Sequence, residues 1–496
     1  MSNTHDQAMH YVYQQVLQRL FEHMNQAQRA SVQLLIQRLL VVAGGHEHVG
    51  RFQLMVLHGA DRRSAHLLAC LRAAQLSISL RYVDTFRMRV LVARHPTLDD
   101  TTLASHERCF SALFLHDDPR VELLRTDGGQ IGRFSARPSC SSEQRAASGK
   151  AWLLFGHLTG GQPEAVLGAR AYLELAAGLG KALAMPGDVD ALVTVVPASQ
   201  RRRLLAWSRH CLRQLVEAGY SAPGNDIDAL AAGLTRLGLL LADPFEAPTP
   251  RTQDGGRQGL RVVTVEDVLQ HLDDSGPLDQ MLGRQDALPC SAQGPAGLFD
   301  PLPLAHLHGL QAQHVGARGY REGAQAFFRS LEPAQEAWPQ GQALREVAQA
   351  RLFDAYGVGE DQLVCQLFCP FEARGRNLEA FVQRCHPGMR VALPYLHQAL
   401  QGRPCPEPVR QWLIDTSGLD LTLLRSIYAG RPGATIQHLL QMLGRRDRWL
   451  RVMQVSGGPM APSSGVRAVP GATARPVAPL DPRASAADGP TGPCLR

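Results

Sequence analysis

Short apolar runs alternate with helical patterns over residues 52–124, and this alternation constrains the fold more than any other feature of the chain. Residues 52–57 (FQLMVL) form a compact run, followed by His58-Gly59-Ala60-Asp61 and by helical spacing through Leu67, Leu68, Leu71 and Leu76. Residues 89–93 (RVLVA) form a second run with a helical pattern over 98–110, and residues 112–115 (ALFL) read as a third. Strands separated by helices pair in parallel through crossovers, so an α/β layer with a parallel or mixed sheet and flanking helices is expected. Residues 121–124 and 131–134 flank Asp127-Gly128-Gly129, which reads as an antiparallel hairpin at the sheet edge.

The chain is 496 residues long, more than one ordinary core accommodates. Residues 1–45 read as a helical pair ended by Gly44-Gly45, and 46–135 as the first α/β segment. The polar stretch 136–150 reads as a linker, with its edge at Ser135. In the second α/β segment, 151–242, residues 152–155 and 192–196 are expected strands. Pro163 opens a helix to about Ala184, and 200–218 is a further helix. The Pro/Gly-rich residues 243–260 read as a connector, 261–455 as a mainly α-helical C-terminal half, and 456–496 as a disordered C-terminal tail too poor in large apolar residues to offset chain entropy.

Only two of the 51 basic residues are lysines, Lys150 and Lys181. Isoleucine and asparagine, also specified by AT-rich codons, are scarce as well, which points to a GC-rich bacterial genome. Selection against lysine in a toxin-like effector delivered to another cell is the competing explanation. The net charge of +6 is dispersed, no basic run exceeds Arg201-Arg202-Arg203, and aromatics are 6%. A nucleic-acid partner is therefore not expected. The cysteines lie mostly in apolar helical contexts, as at Cys70 and Cys211, and read as free thiols of a reducing compartment. The polar N-terminus lacks a signal-peptide pattern, and no window approaches the ~18 apolar residues of a membrane span. A cytoplasmic location is expected, with signal-independent export compatible with the same features.

The expected strand ends carry the candidate chemistry. The first ends at His58 and Asp61, the second at Arg94 and His95, the third at His116, Asp117 and Asp118. Ligands of open parallel sheets bind beyond the carboxyl ends of the strands. Three neighbouring strands would thus bring these imidazoles and carboxylates to one rim. His58, His116, Asp117 and Asp118 are the catalytic candidates there. His58, His95, His116 and Asp117 are the candidate ligands of a divalent metal, and Arg94 and Gly59 the anion-binding candidates. The alternative roles are ordinary ones, with Asp61 an N-cap and Asp117-Asp118-Pro119 a turn initiator.

His58-Gly59 after LMVL resembles the histidine motif of caspase-like cysteine peptidases. That family places its nucleophilic cysteine at the end of the next strand, where this chain has Ala93-Arg94; Cys109 falls on an expected helix and reads as core. Cys365, Cys369, Cys385 and His386 lack the paired short spacings of a zinc site, and His306, His308 and His314 read as solvated loop histidines. Gly160-Gly161 lacks the remainder of a phosphate-binding motif. Residues 439–453 form an amphipathic pattern in which Arg445, Arg446, Arg448 and Arg451 accompany Trp449 and Leu450, suited to an acidic partner, to an anionic membrane surface or to packing on its own domain. With no complete catalytic motif, the leading expectation is a bacterial interaction or regulatory protein with a protein partner. A metal- or phosphate-dependent hydrolase built on the strand-end cluster is the alternative.

Overall fold

Asn25 divides the first helices, α1 (Ser2–His23) and α2 (Gln26–Ala43). Its side chain accepts the Gln28 amide while Gln28 bonds back to the Asn25 amide. This reciprocal cap satisfies two of the donors that a helix start leaves open. Gly44, at φ 84°, ends α2 in the left-handed conformation that a glycine adopts without strain. The computed structural model describes residues 2–97, 100–127, 129–136, 141–217, 226–242, 244–245, 260–269, 276–283, 301–331, 341–430 and 434–444. The expected tail 456–496, most of the connector 243–260 and the arginines 445–451 lie outside the described residues.

Six strands form one mixed sheet: β1 (Gln53–His58), β2 (Arg87–Arg94), β3 (Val121–Asp127), β4 (Gln130–Arg133), β5 (Ala191–Thr194) and β6 (Arg261–Val262). Their order is β4-β3-β2-β1-β5-β6, with every pair parallel except β3 with β4. The two α/β segments therefore share one sheet, and the hairpin over 121–134 forms as expected. Strand order reverses between β1 and β5, the arrangement of a doubly wound sheet.

Both faces are covered. Leu54, Val56, Met88, Val90 and Val193 enter a core with α1, α2, α3 (Arg62–Arg81) and α4 (Asp100–Ala112). Met55, Leu57, Leu91, Leu124 and Leu192 enter a second core with α5 (Ser142–Leu158), α6 (Arg170–Ala184), α7 (Ala198–Glu217) and α8 (Ile227–Ala242). That double coverage explains why β1 reads as a nearly unbroken apolar run, because both sides of a parallel strand are buried. After β6 come the short helices α9 (Glu266–Leu269) and α10 (Gly276–Met281), tied back by Arg38–Asp267 at 2.7 Å and Arg62–Asp279 at 2.5 Å.

Two expected strands are helical. Residues 112–115 are the end of α4 and a turn in which Phe114 adopts φ 53°. Residues 152–155 form the last turns of α5, which starts at the Ser141–Gln144 capping box inside the expected linker. Trp152, Leu153, Leu154 and Phe155 are all buried, so the second half of this helix lacks an exposed face and its sequence shows no 3.6-residue alternation.

The C-terminal half is helical, beginning with α11 (Pro301–Leu310), α12 (Tyr320–Leu331), α13 (Gln342–Tyr356) and α14 (Glu360–Phe368), and continues to Ala434–Gly444. It packs directly on α5. Gly149 and Gly156 lie seven residues apart on one face of α5, where a Cβ would meet the Tyr356 carbonyl at the first and the Gln366 side chain at the second. Trp152 lies between them on the α5 surface and stacks on Tyr356 at 5.0 Å. Lys150 pairs with Asp420, and Arg345 Nε bonds Glu360 at 2.7 Å.

Candidate functional site

The strand-end residues are placed by a sheet whose third strand differs from the one expected. β3 starts at Val121, so His116, Asp117 and Asp118 precede it and lie toward its amino end. Val121 is level with Met88 and through it with Leu54, four residues before His58. That is roughly 13 Å along the strands from the rim. Asp127 is instead the residue at the β3 carboxyl end, in register with Arg94.

His58 ends β1 and is buried. Its ring packs on the α4 side, 4.9 Å from His106 and 5.5 Å from Phe110. Phe110 also meets Phe134 at 4.9 Å and His116 at 6.3 Å, so it stands between the two candidate imidazoles. His116 pairs with Glu107 at 2.9 Å on the surface of α4, and Asp117 is exposed. His95 turns toward the helical half. It bonds Thr97 Oγ1 at 2.7 Å and lies 6.5 Å from the Tyr356 ring. His58, His95, His116 and Asp117 are thus not brought together, and no group of three or more His, Cys, Asp or Glu among the described residues is placed to hold a metal ion.

Asp118 has a defined structural partner set. Its carboxylate accepts Arg72 Nη1 at 2.6 Å, Arg120 Nε at 2.8 Å and the Arg120 amide at 2.9 Å, with the Arg72 and Asp118 side chains both fully buried. Arg72 also donates to the carbonyls of Leu113 and Phe114 and to Gln75 Oε1, fixing the turn that carries the strained Phe114. The guanidinium groups of Arg120 and Arg72 lie 4.7 and 5.3 Å from the Tyr13 ring centroid, joining α1 to the clamp. Burial alone would raise the Asp118 pKa, but the Arg120 hydrogen bonds and the Arg72 charge outweigh it and hold the carboxyl at about 2. Such an acid is ionised, saturated with donors and remote from the rim.

At the reversal point the polar groups are also engaged. The Gly59 amide donates to Ser64 Oγ at 3.1 Å, and Asp61 caps α3 through the Ser64 amide at 2.5 Å. Across the gap, Arg201 at the start of α7 bonds the Val196 carbonyl at 2.6 Å and pairs with Glu266 at 2.7 Å. Arg72, His106 and Arg201 were not expected to matter. Arg72 was legible, since it falls among buried spacings of the LLACLRAAQL helix, and a buried guanidinium calls for a carboxylate.

The other histidines and cysteines are dispersed. His306 lies on α11, bonded to Tyr320 Oη at 2.8 Å and Gln349 Oε1 at 3.3 Å, and burial lowers its pKa to about 4. His308, also on α11, lies 3.3 Å from Glu164. Cys369 Sγ donates to the Gln366 and His157 carbonyls at 3.0 and 3.4 Å, and burial drives both it and Cys365 well above the ordinary thiol range. Cys385 Sγ lies 3.8 Å from His314 Nδ1. The rings of His386 and Trp412 meet at 5.1 Å.

These features define a class, a doubly wound α/β layer fused to a helical half, in which no described helix is long and apolar enough to cross a membrane. No family model matches the chain, and it has no significant similarity to a curated protein or to a solved structure.

Proposed function

We propose that this protein acts by binding another macromolecule, as an interaction or regulatory component, and that the strand-end cluster is part of its framework. Asp118 carries the reading. One of the two acids offered for a hydrolytic centre at the rim is held by Arg72 and Arg120 in a buried clamp that secures the entry to β3. A general base needs an open lone pair within reach of the proton it removes, and this carboxylate is surrounded by cationic donors. The engagement of His116 by Glu107 and of His95 by Thr97 agrees with that assignment.

The test is an assay of ester, phosphate-ester and nucleic-acid substrates with Mg²⁺, Mn²⁺ or Zn²⁺, run on the wild type and on His58→Ala. The expected result is no turnover above buffer and no rise in melting temperature on adding the ions. Metal-dependent turnover that disappears in His58→Ala would overturn the proposal and favour the hydrolase reading.

A further inference from the structure

The hairpin of α7 and α8 concentrates arginines. It holds Arg201, Arg202, Arg203, Arg209, Arg213 and Arg236, while its acidic residues, Glu217, Asp226 and Asp228, are confined to the connecting end. Several arginines elsewhere meet carboxylates, as in Arg38–Asp267, Arg89–Glu122, Arg170–Glu174 and Arg345–Glu360. On this hairpin Arg201 alone has an ion-pair partner among the described residues, Glu266. Arg202 donates only to the Ala198 carbonyl of its own helix.

Three of these cations form a line. Arg202, Arg209 and Arg213 are exposed and occupy positions i, i+7 and i+11, one face of α7 spanning roughly 16 Å. Their helix is firmly seated on its opposite side, where Trp207, Cys211 and Leu212 are buried in the core beneath the sheet. Gly233 of α8 packs against Leu212, so close that a Cβ there would approach the leucine methyl at 2.8 Å. Three aligned guanidinium groups, with no carboxylate partner among the described residues, repel one another, and an anionic surface relieves that repulsion.

We infer that this face docks an acidic helical segment of a partner protein, with glutamates or aspartates repeating at about heptad spacing. The inference rests on the binding role proposed above and names its partner chemistry. Three features select a protein helix over other anions. The seven-residue step between Arg202 and Arg209 matches the side-chain repeat of a helix lying alongside α7. Guanidinium groups form paired, forked hydrogen bonds with carboxylates, which gives register as well as attraction. Among the described residues the exposed large apolar side chains of the hairpin are Val216 and Leu239, too few to insert into a bilayer, and Trp207 is buried and offers no platform for bases.

Fluorescence anisotropy with a synthetic acidic amphipathic helix tests this on the full-length protein. A single-stranded oligonucleotide and phosphatidylserine vesicles serve as competing anions. The wild type should bind the peptide with an affinity that falls as salt rises, and Arg202→Glu/Arg209→Glu/Arg213→Glu should weaken it by about tenfold or more. A control with the same charge change off the hairpin, Arg133→Glu/Arg390→Glu/Arg403→Glu, should retain most of the affinity, and Arg209→Glu alone gives the direction should the triple variant not fold. Equal losses in both triples, or tighter binding to oligonucleotide or vesicles than to the peptide, would overturn the inference. The substrate assays read none of these outcomes, so failure here is distinct from failure of the proposed function.

Discussion

At the scale of single residues, burial decides which titratable groups contribute to stability and at which pH. Asp118, held at about 2 against about 3.9 in an unfolded chain, contributes stability in full above pH 4 and loses it as the pH falls toward 2. His157 acts over a higher window. It is wholly buried beside Phe371, neither ring nitrogen has a hydrogen-bond partner among the described residues, and burial lowers its pKa to about 3. The unfolded chain takes up a proton near pH 6.5 that the folded ring refuses, so stability falls as the pH drops from about 6.5 toward 3. His157→Phe keeps an aromatic ring of similar size there and removes the titration. Urea unfolding across that window should show the variant losing less stability than the wild type, by about 4 kcal/mol at the acid end. Some slope should remain, because His306 is also lowered, to about 4. Identical slopes in the two proteins would show that His157 is hydrated or partnered. Neither environment was legible in the sequence. Asp118 reads as a turn residue in DDP, and its role depends on an arginine 46 positions earlier that only folding brings near.

At the scale of elements, the sequence was clearest where a strand or helix has a boundary residue or a one-sided pattern. The Gly44-Gly45 stop and the Asp127-Gly128-Gly129 turn region were legible because few residues satisfy those backbone demands. α5 differs from the reading of 152–155 as a strand because only its second half is buried all round, and a short buried run reads alike as strand or helix. Its glycines were the overlooked signal. Gly149 and Gly156 weaken a helix by propensity and are retained because α13 and α14 approach too closely for a Cβ. Gly149→Ala should therefore destabilise the protein by about 2 kcal/mol or more despite the better helix former, since the obstructing atom is a backbone oxygen that cannot swing aside. Gly160→Ala is the contrast. At φ +69° with no atom near the added Cβ, it should cost about 1 kcal/mol from backbone strain alone. Thermal unfolding of both variants measures the order, and a Gly149→Ala protein as stable as the wild type would refute the close approach.

At the scale of the whole molecule, the parallel α/β layer and the helical half were legible as separate regions, but their shared core was not. One apolar cluster runs from Met55 in β1 through α5 to Leu443 near the end of the described chain. Residues that meet in it are hundreds of positions apart, and no local pattern records such pairing. Because that core is common, unfolding monitored by far-UV circular dichroism and by tryptophan fluorescence, with Trp152 at the junction, should give coincident transitions. Two resolved steps would mean that the halves are stable independently. The candidate rim failed at this scale for a related reason: the third strand, expected at 112–115, begins at Val121, which leaves His116, Asp117 and Asp118 toward the opposite end of the sheet.

The distance along the chain between α5 and the helices that cover it also matters during synthesis. α5 is complete once Leu158 has emerged, yet Tyr356 and Gln366, which close its buried side, follow about 200 residues later. At typical elongation rates that delay is on the order of ten seconds or more. Throughout it a nascent chain on the ribosome holds Trp152 and Leu153 without their final neighbours, which makes the partly synthesised protein a natural client for a holding chaperone.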